Sequence, residues 1–180
     1  MWKYIIRGRT DSGTGFPGIV YNKTIKQEKE KNDMAFTGVF VSGDVDVEIA
    51  TDGATGSTFA PIAEMEEYTL SIDGGVESWH PYGGGAWAKK LLTSKDGKIE
   101  AKGKRSLGDA GNDYVAGLFL KEGRDVESKI KMTFPDGSTI TAPVLINVTS
   151  LGVGGATNVG PLEFTAEFNG KPEYKAGTGA

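Results

Sequence analysis

The 180-residue chain contains no cysteine and a single histidine, His80. The first absence excludes disulfides, thiolate zinc sites and cysteine nucleophiles. The second leaves a serine-histidine-aspartate triad dependent on His80 alone, and no serine stands in a nucleophile-elbow pattern. No stretch approaches the roughly 18 apolar residues of a membrane span, so no membrane insertion by this chain is expected. The opening MWKYIIRGRT lacks the apolar region of a secretory signal. Walker loops and dinucleotide fingerprints are missing too. Gly83-Gly84-Gly85 leads into Ala86-Trp87, with no Lys-Ser/Thr to hold phosphate and metal. Carboxylate pairs of the glycosidase type are expected by chance among 24 acidic residues. The chain therefore offers no catalytic residue and no cofactor site, and a non-enzymatic role is expected.

Clustered positive charge is also scarce. Residues 1–33 hold seven Lys/Arg and four Asp/Glu, whereas residues 34–180 hold 13 and 20. An acidic body argues against tight nucleic-acid binding, which needs clustered Lys and Arg. It is compatible with a surface past which nucleic acid slides without sticking.

What the chain has in excess is glycine, 27 residues, about twice the usual ~7%. The glycines separate short apolar runs and so read as turns. A chain of this length fits one domain. Residues 1–33 stand apart, ending in the charged Thr24–Asp33 stretch of a solvated arm or linker. A second reading is that they are upstream sequence. Met34-Ala35-Phe36 resembles a natural start, and Lys29-Glu30 can be encoded by a ribosome-recruiting purine run. Residues 34–172 form the expected β domain, and 173–180 a mobile tail.

Within the body, Asp44, Asp46 and Glu48 alternate with Val45, Val47 and Ile49, a strand with one acidic and one β-branched face. The spacing does not fit a calcium loop: the sixth position is Ile49 and the twelfth Thr55. No metal site is expected. Phe59 to Ile72 reads as one or two strands, and the chain then loosens into the loop DGGVESWHPYGGG. There Trp79, His80 and Tyr82 either anchor the loop to the body or a neighbouring subunit, or form a stacking platform for a sugar or a base.

Asp96-Gly97 lies between two extended runs and predicts a tight hairpin turn. Beyond it Lys98, Glu100, Lys102 and Lys104 alternate with smaller residues on a polar strand face. The period then becomes helical. Tyr114, Val115, Leu118 and Phe119 share a stripe, acids stand at its front, and Gly123 follows its end. Val126 to Phe134 and Ser138 to Val148 form a hairpin over Pro135-Asp136-Gly137. Pro143 predicts an edge strand or a bulge. Leu162 to Phe168 is the last strand. The expected fold is mainly β, a β-sandwich or partly closed barrel with one flanking α-helix.

The order of these parts resembles the major tail tube proteins of long-tailed bacteriophages. The residues that carry the likeness are the Met34-Ala35-Phe36 start, the acidic strand and the segment AWAKKLLTSK. The single helix after Gly108-Asp109, the Gly-rich loop with Asn158-Val159 and the closing EFTAEFNGKP complete it. The resemblance implies subunits that join into rings, usually hexamers, stacked into a tube. Its further partners would be tape-measure, tail terminator and baseplate or tail-tip proteins. DNA would pass through without sequence-specific binding, and the location would be the virion tail, assembled in the bacterial cytoplasm. Asp44, Asp46 and Glu48 become candidates for the lumen wall. Trp79, Tyr82, Lys98, Lys102 and Lys104 become candidates for subunit or ring contacts. The rivals are a carbohydrate-binding β-sandwich of a phage particle, using Trp79, His80 and Tyr82, and a related secretion-system tube.

Overall fold

A computed structural model describes residues 36–177. The expectations for residues 1–33, and for Met34 and Ala35, lie outside these residues. Eight strands form one antiparallel sheet: β1 (Asp46–Ala50), β2 (Phe59–Pro61), β3 (Met65–Trp79), β4 (Lys89–Lys104), β5 (Glu127–Thr133), β6 (Thr139–Leu151), β7 (Pro161–Phe168) and β8 (Glu173–Lys175). Their order is β2-β1-β5-β6-β7-β4-β3, with β8 also pairing β6. The sheet does not close into a barrel. One α-helix, α1 (Ala110–Ala116), occurs among the described residues.

The core is the inward row of each strand. Ile130 and Met132 come from β5, Ala142, Val144, Ile146 and Val148 from β6, Leu162, Phe164 and Ala166 from β7, and Ile99 and Ala101 from β4. This is the period-two pattern expected of a sheet with one buried face. Val115 and Leu118 of the helical segment seal one side. Ser128 shares the inward row of β5, and its hydroxyl donates to Ala50 O at 2.8 Å, so the buried polar group is satisfied.

Several expectations are corrected. No hairpin turn occurs at Asp96-Gly97: β4 runs straight through it, with Asp96 opposite Asp73 and Gly97 opposite Ile72. Gly97 is required for packing, because a Cβ there would lie 2.5 Å from Cδ2 of Phe168. Nor does the chain loosen at Asp73. β3 continues through Gly74-Gly75 to Trp79, and β3 and β4 make one long hairpin closed by residues 80–88. Pro143 sits at neither a sheet edge nor a bulge. It pairs with Lys129 on one side, and its carbonyl accepts from Asn169 N at 2.9 Å on the other. Its missing N–H therefore points into the gap between β7 and β8, where no ladder bond is lost. Residues 173–175, expected in a mobile tail, form β8.

The helix is shorter than its stripe implied. It closes at Gly117, and Phe119 is exposed. Gly111, a residue that weakens an isolated helix, lets it sit against β2: a Cβ there would lie 2.2 Å from Pro61 O. The turn Pro135-Asp136-Gly137 forms as predicted, with Gly137 at φ 79° and Asp136 Oδ1 accepting from Ser138 N at 2.8 Å.

Candidate assembly surface

The long hairpin has a root inside the body and a tip outside it. β7 pairs with β4 only from Lys98 to Lys104. From Lys89 to Asp96, β4 has β3 as its sole sheet partner among the described residues. This outer part is an arm.

The root is tied down by a buried amide. Asn112, fully buried at the start of α1, donates through Nδ2 to Ala63 O (3.0 Å) and Lys104 O (2.9 Å). Its Oδ1 accepts from Ser106 N (3.1 Å) and from Arg105 (2.7 Å). All four hydrogen-bonding positions of the amide are filled. Arg105 also donates to Asp113 Oδ1 at 2.5 Å. That hydrogen bond, joined by one from Gly108 N, holds the Asp113 carboxyl below its usual range. Asp109 caps the helix through Asn112 N (2.8 Å) and also accepts from Ala63 N (3.2 Å). The helix thus fixes both Ala63, where the chain enters β3, and Lys104, where it leaves β4.

Alternation sorts the two faces of the hairpin. Tyr68, Leu70, Ile72 and Val76 lie on one face with Ala101, Ile99, Gly97 and Leu92. Near the body this face is the core wall. Further out it is an exposed apolar strip comprising Leu70, Ile72, Val76 and Leu92. The other face carries Glu67, Ser71, Asp73 and Glu77 opposite Lys102, Lys98, Asp96 and Leu91. A bulge with Thr93 as the extra residue separates root from tip, next to Gly74-Gly75. At the tip Trp79 is 45% exposed, Trp87 84%, and Tyr82 wholly so.

The residues singled out from the sequence fall in three places. Trp79 ends β3 and Tyr82 lies in the closing loop, so both belong to the arm tip. His80 is beside them, but the main surface hollows are lined by other residues. Lys98, Lys102 and Lys104 lie at the root, each with an acid of its own chain: Glu100 at 2.8 Å, Glu67 at 3.8 Å and Glu66 at 3.2 Å. Exposed pairs of this kind contribute little and are easily exchanged. The three acids do not form one strand face. Asp44 ends a 3-10 turn (Ser42–Asp44), while Asp46 and Glu48 belong to β1. Glu48 is ion-paired with Lys131, whose ammonium also lies 4.8 Å from the Phe59 ring centroid. Sequence reading missed Asn112, Leu91 and Leu92. Two adjacent leucines in a polar run were the available signal for the last two.

No group of three or more His, Cys, Asp or Glu among the described residues is placed to hold a metal ion. No helix among them is long and apolar enough to cross a membrane.

An open antiparallel sheet with one small helix and a projecting hairpin defines a tail tube-like fold. Solved structures bear this out. A chain from the tail of an empty gene transfer agent particle, refined with C6 symmetry, matches at TM-score 0.59 and 15% identity, covering 77% of this chain and all of that one. A chain of the six-fold symmetrised anti-feeding prophage baseplate matches at 0.53 and 12%, covering 78% and 98%. One from the sheath-tube complex of an extracellular contractile injection system, in its extended state, matches at 0.52 and 13%, covering 79% and 95%. At these identities the likeness is one of fold. No protein-family model and no curated protein matches the sequence.

Proposed function

We propose that this chain is the repeating subunit of a phage-type tail tube. Copies join into rings, six to a ring, and the rings stack into a conduit for DNA in the virion tail. The observation that carries this is the arm. Trp79, Val76, Leu91 and Leu92 are exposed on a two-stranded ribbon outside the core, Trp87 in its closing loop, and Leu70 and Ile72 at its base. A hairpin of that kind is marginal in water by itself, and large apolar side chains left exposed together outside the core mark an interaction surface. Trp79 and Tyr82 are contact residues within it. The six-fold symmetry of two assemblies whose chains share the fold supports six copies to a ring.

The wall of the conduit would be acidic, so that DNA passes without the counterion release that drives binding. Asp44 and Asp46 are candidates for it. Glu48 contributes less, because Lys131 neutralises it. Lys98, Lys102 and Lys104 would exchange their intrachain partners for acids of a neighbour, which favours specificity over affinity. Assembly would take place in the host cytoplasm, with tape-measure, terminator and baseplate or tail-tip proteins at the tube ends.

Electron microscopy and mass photometry of the purified full chain test the proposal. Six-membered rings or short tubes are expected at micromolar concentration. A species that stays monomeric at every concentration and salt overturns it.

A further inference from the structure

We propose that Asn169-Gly170, in the link between β7 and β8, is a self-modification site whose product loosens β8. The Asn169 side chain closes on the Gly170 nitrogen, loses ammonia, and opens in water to isoaspartate or aspartate. This chemistry does not depend on assembly into a tube.

Of the asparagines in the chain, only Asn169 is followed by glycine. Ring closure requires the next residue's backbone nitrogen to reach the side-chain Cγ, and a Cβ on that residue crowds the approach. Glycine has none. The fold leaves the pair free to react. Both residues are exposed. Asn169 N donates to Pro143 O at 2.9 Å, which fixes the start of the link. The Asn169 side-chain amide and the Gly170 N–H have no hydrogen-bond partner among the described residues.

The competing sites are blocked. Asn112 is buried with its whole amide engaged, and the following N–H, that of Asp113, donates to Asp109 O at 2.8 Å. Asn147 and Asn158 precede Val148 and Val159, whose branched Cβ obstructs closure. Asp-Gly pairs can follow the same route. Asp73 and Asp96, however, lie in paired strands. Asp52 and Asp136 are held as carboxylates by hydrogen bonds from Ser57 and Ser138, and a carboxylate is a poor electrophile.

The step balances with water and hydroxide alone. Hydroxide takes the Gly170 N–H proton, the nitrogen bonds to Asn169 Cγ, and the Cγ–Nδ2 bond breaks. Nδ2 leaves as ammonia with a proton from water, which restores the hydroxide. Water then adds to the imide ring. Opening at Cγ gives aspartate. Opening at the backbone carbonyl routes the chain through Cβ and gives isoaspartate, with one more atom in the backbone. That atom enters just before β8, a three-residue exposed strand paired only with Thr139, Ile140 and Thr141 of β6. So short an element opens easily. The new charge arises next to Gly170 and Lys171, which line a hollow together with Lys95. The lysines offset the charge, so the extra backbone atom is the disturbance.

The test holds the folded full chain in mildly alkaline buffer and cuts samples after glutamate. The fragment Phe168–Glu173 has Asn169 as its sole asparagine. Conversion is read as a one-dalton mass gain and as methyl transfer by an isoaspartate methyltransferase. Asn169 should convert about tenfold faster than any other asparagine, a barrier lower by about 1.4 kcal/mol, and faster as pH rises. Asn169→Gln, which needs a larger ring, should abolish the signal. Amide exchange at residues 173–175 should quicken in the converted chain. It should stay near wild type in fresh Asn169→Asp, which has the charge without the added atom. The proposal is overturned if Asn169 converts no faster than the other asparagines, if it converts only once the chain is unfolded in denaturant, or if methyl acceptance survives in Asn169→Gln. Unchanged exchange at 173–175 after conversion, or equal loosening in Asn169→Asp, overturns the effect assigned to the extra backbone atom.

Discussion

Replacing Asn112 with alanine isolates the anchor at the root of the arm. The substitution removes four hydrogen bonds at once. It leaves Ala63 O, Lys104 O and Ser106 N without their side-chain partner in a region where Asn112 itself has no exposure. Arg105 is not stranded, because it keeps Ser106 O and Asp113. Each orphaned buried group costs about 1–3 kcal/mol. Water entering the space left by the amide brings each towards the lower figure, so the sum is about 3 kcal/mol. For a chain of this size the melting temperature should fall by about 6–12 °C. The assay is chemical and thermal unfolding at neutral pH, with variant and wild type at the same concentration. Concentration must be fixed because the proposed assembly would bind only the folded chain and raise its apparent stability. Since Asn112 holds both Ala63 and Lys104, amide exchange across the outer part of β3 and β4 should quicken as well. A loss below about 0.5 kcal/mol, the range of an ordinary surface change, would refute this account of the anchor.

Three further outcomes are expected. Gly103→Ala should destabilise more than Gly97→Ala in denaturant titrations: at position 103 a Cβ meets backbone, Glu64 O at 2.5 Å and Met65 Cα at 2.7 Å, whereas at 97 it meets the Phe168 ring, which can turn. Acid should unfold the protein in a predictable window. Asp113 is held below its usual range chiefly by Arg105, Asp52 by the Ser57 amide, Asp136 by Ser138 and Glu100 by Lys98; a depressed folded pKa stabilises fully well above the unfolded value and is lost as pH falls through the folded one, so stability against pH should bend downward progressively from about pH 5. Asp44→Lys combined with Asp46→Lys should slow DNA release from assembled particles while leaving ring formation intact in electron micrographs, and unchanged release would remove these residues from the conduit wall.

Much of the body was legible because its strands obey one period. In β5 and β7 the inward rows Ser128-Ile130-Met132 and Leu162-Phe164-Ala166 follow directly from alternation. The hairpin at Pro135 follows from turn chemistry, and the likeness to tail tube proteins from the order of the elements. The arm was not legible, and the reason is physical. Gly74, Gly75 and Gly97 look like turn residues, but none has positive φ. Each accommodates a neighbouring side chain: Leu92, Ser94 and Phe168 respectively. A glycine that makes room and a glycine that turns the chain are identical in one sequence. Asn112 was hidden for a related reason. It reads as a polar residue near a helix start, and only the strands that converge on it make it a core residue.

The two ends of the sheet are treated differently, and that asymmetry bears on assembly. β2 at one end is three residues long, with α1 against it, a short and covered edge. β3 at the other end is 15 residues long and has β4 as its only sheet neighbour among the described residues. Long unpaired edges invite indiscriminate pairing. This one carries Glu66, Glu67, Asp73 and Glu77, is paired irregularly at Glu66, and faces a bulge at Thr93, devices that discourage a random strand from adding. The edge is protected against strangers without being sealed, and the apolar faces beside it remain open. The two ends of the sheet are therefore unlike, one closed and one guarded. The proposed tube would need head-to-tail contacts, which give rings when the rotation closes and filaments when it does not. A tail tube uses both, closing within the ring and running on along the axis.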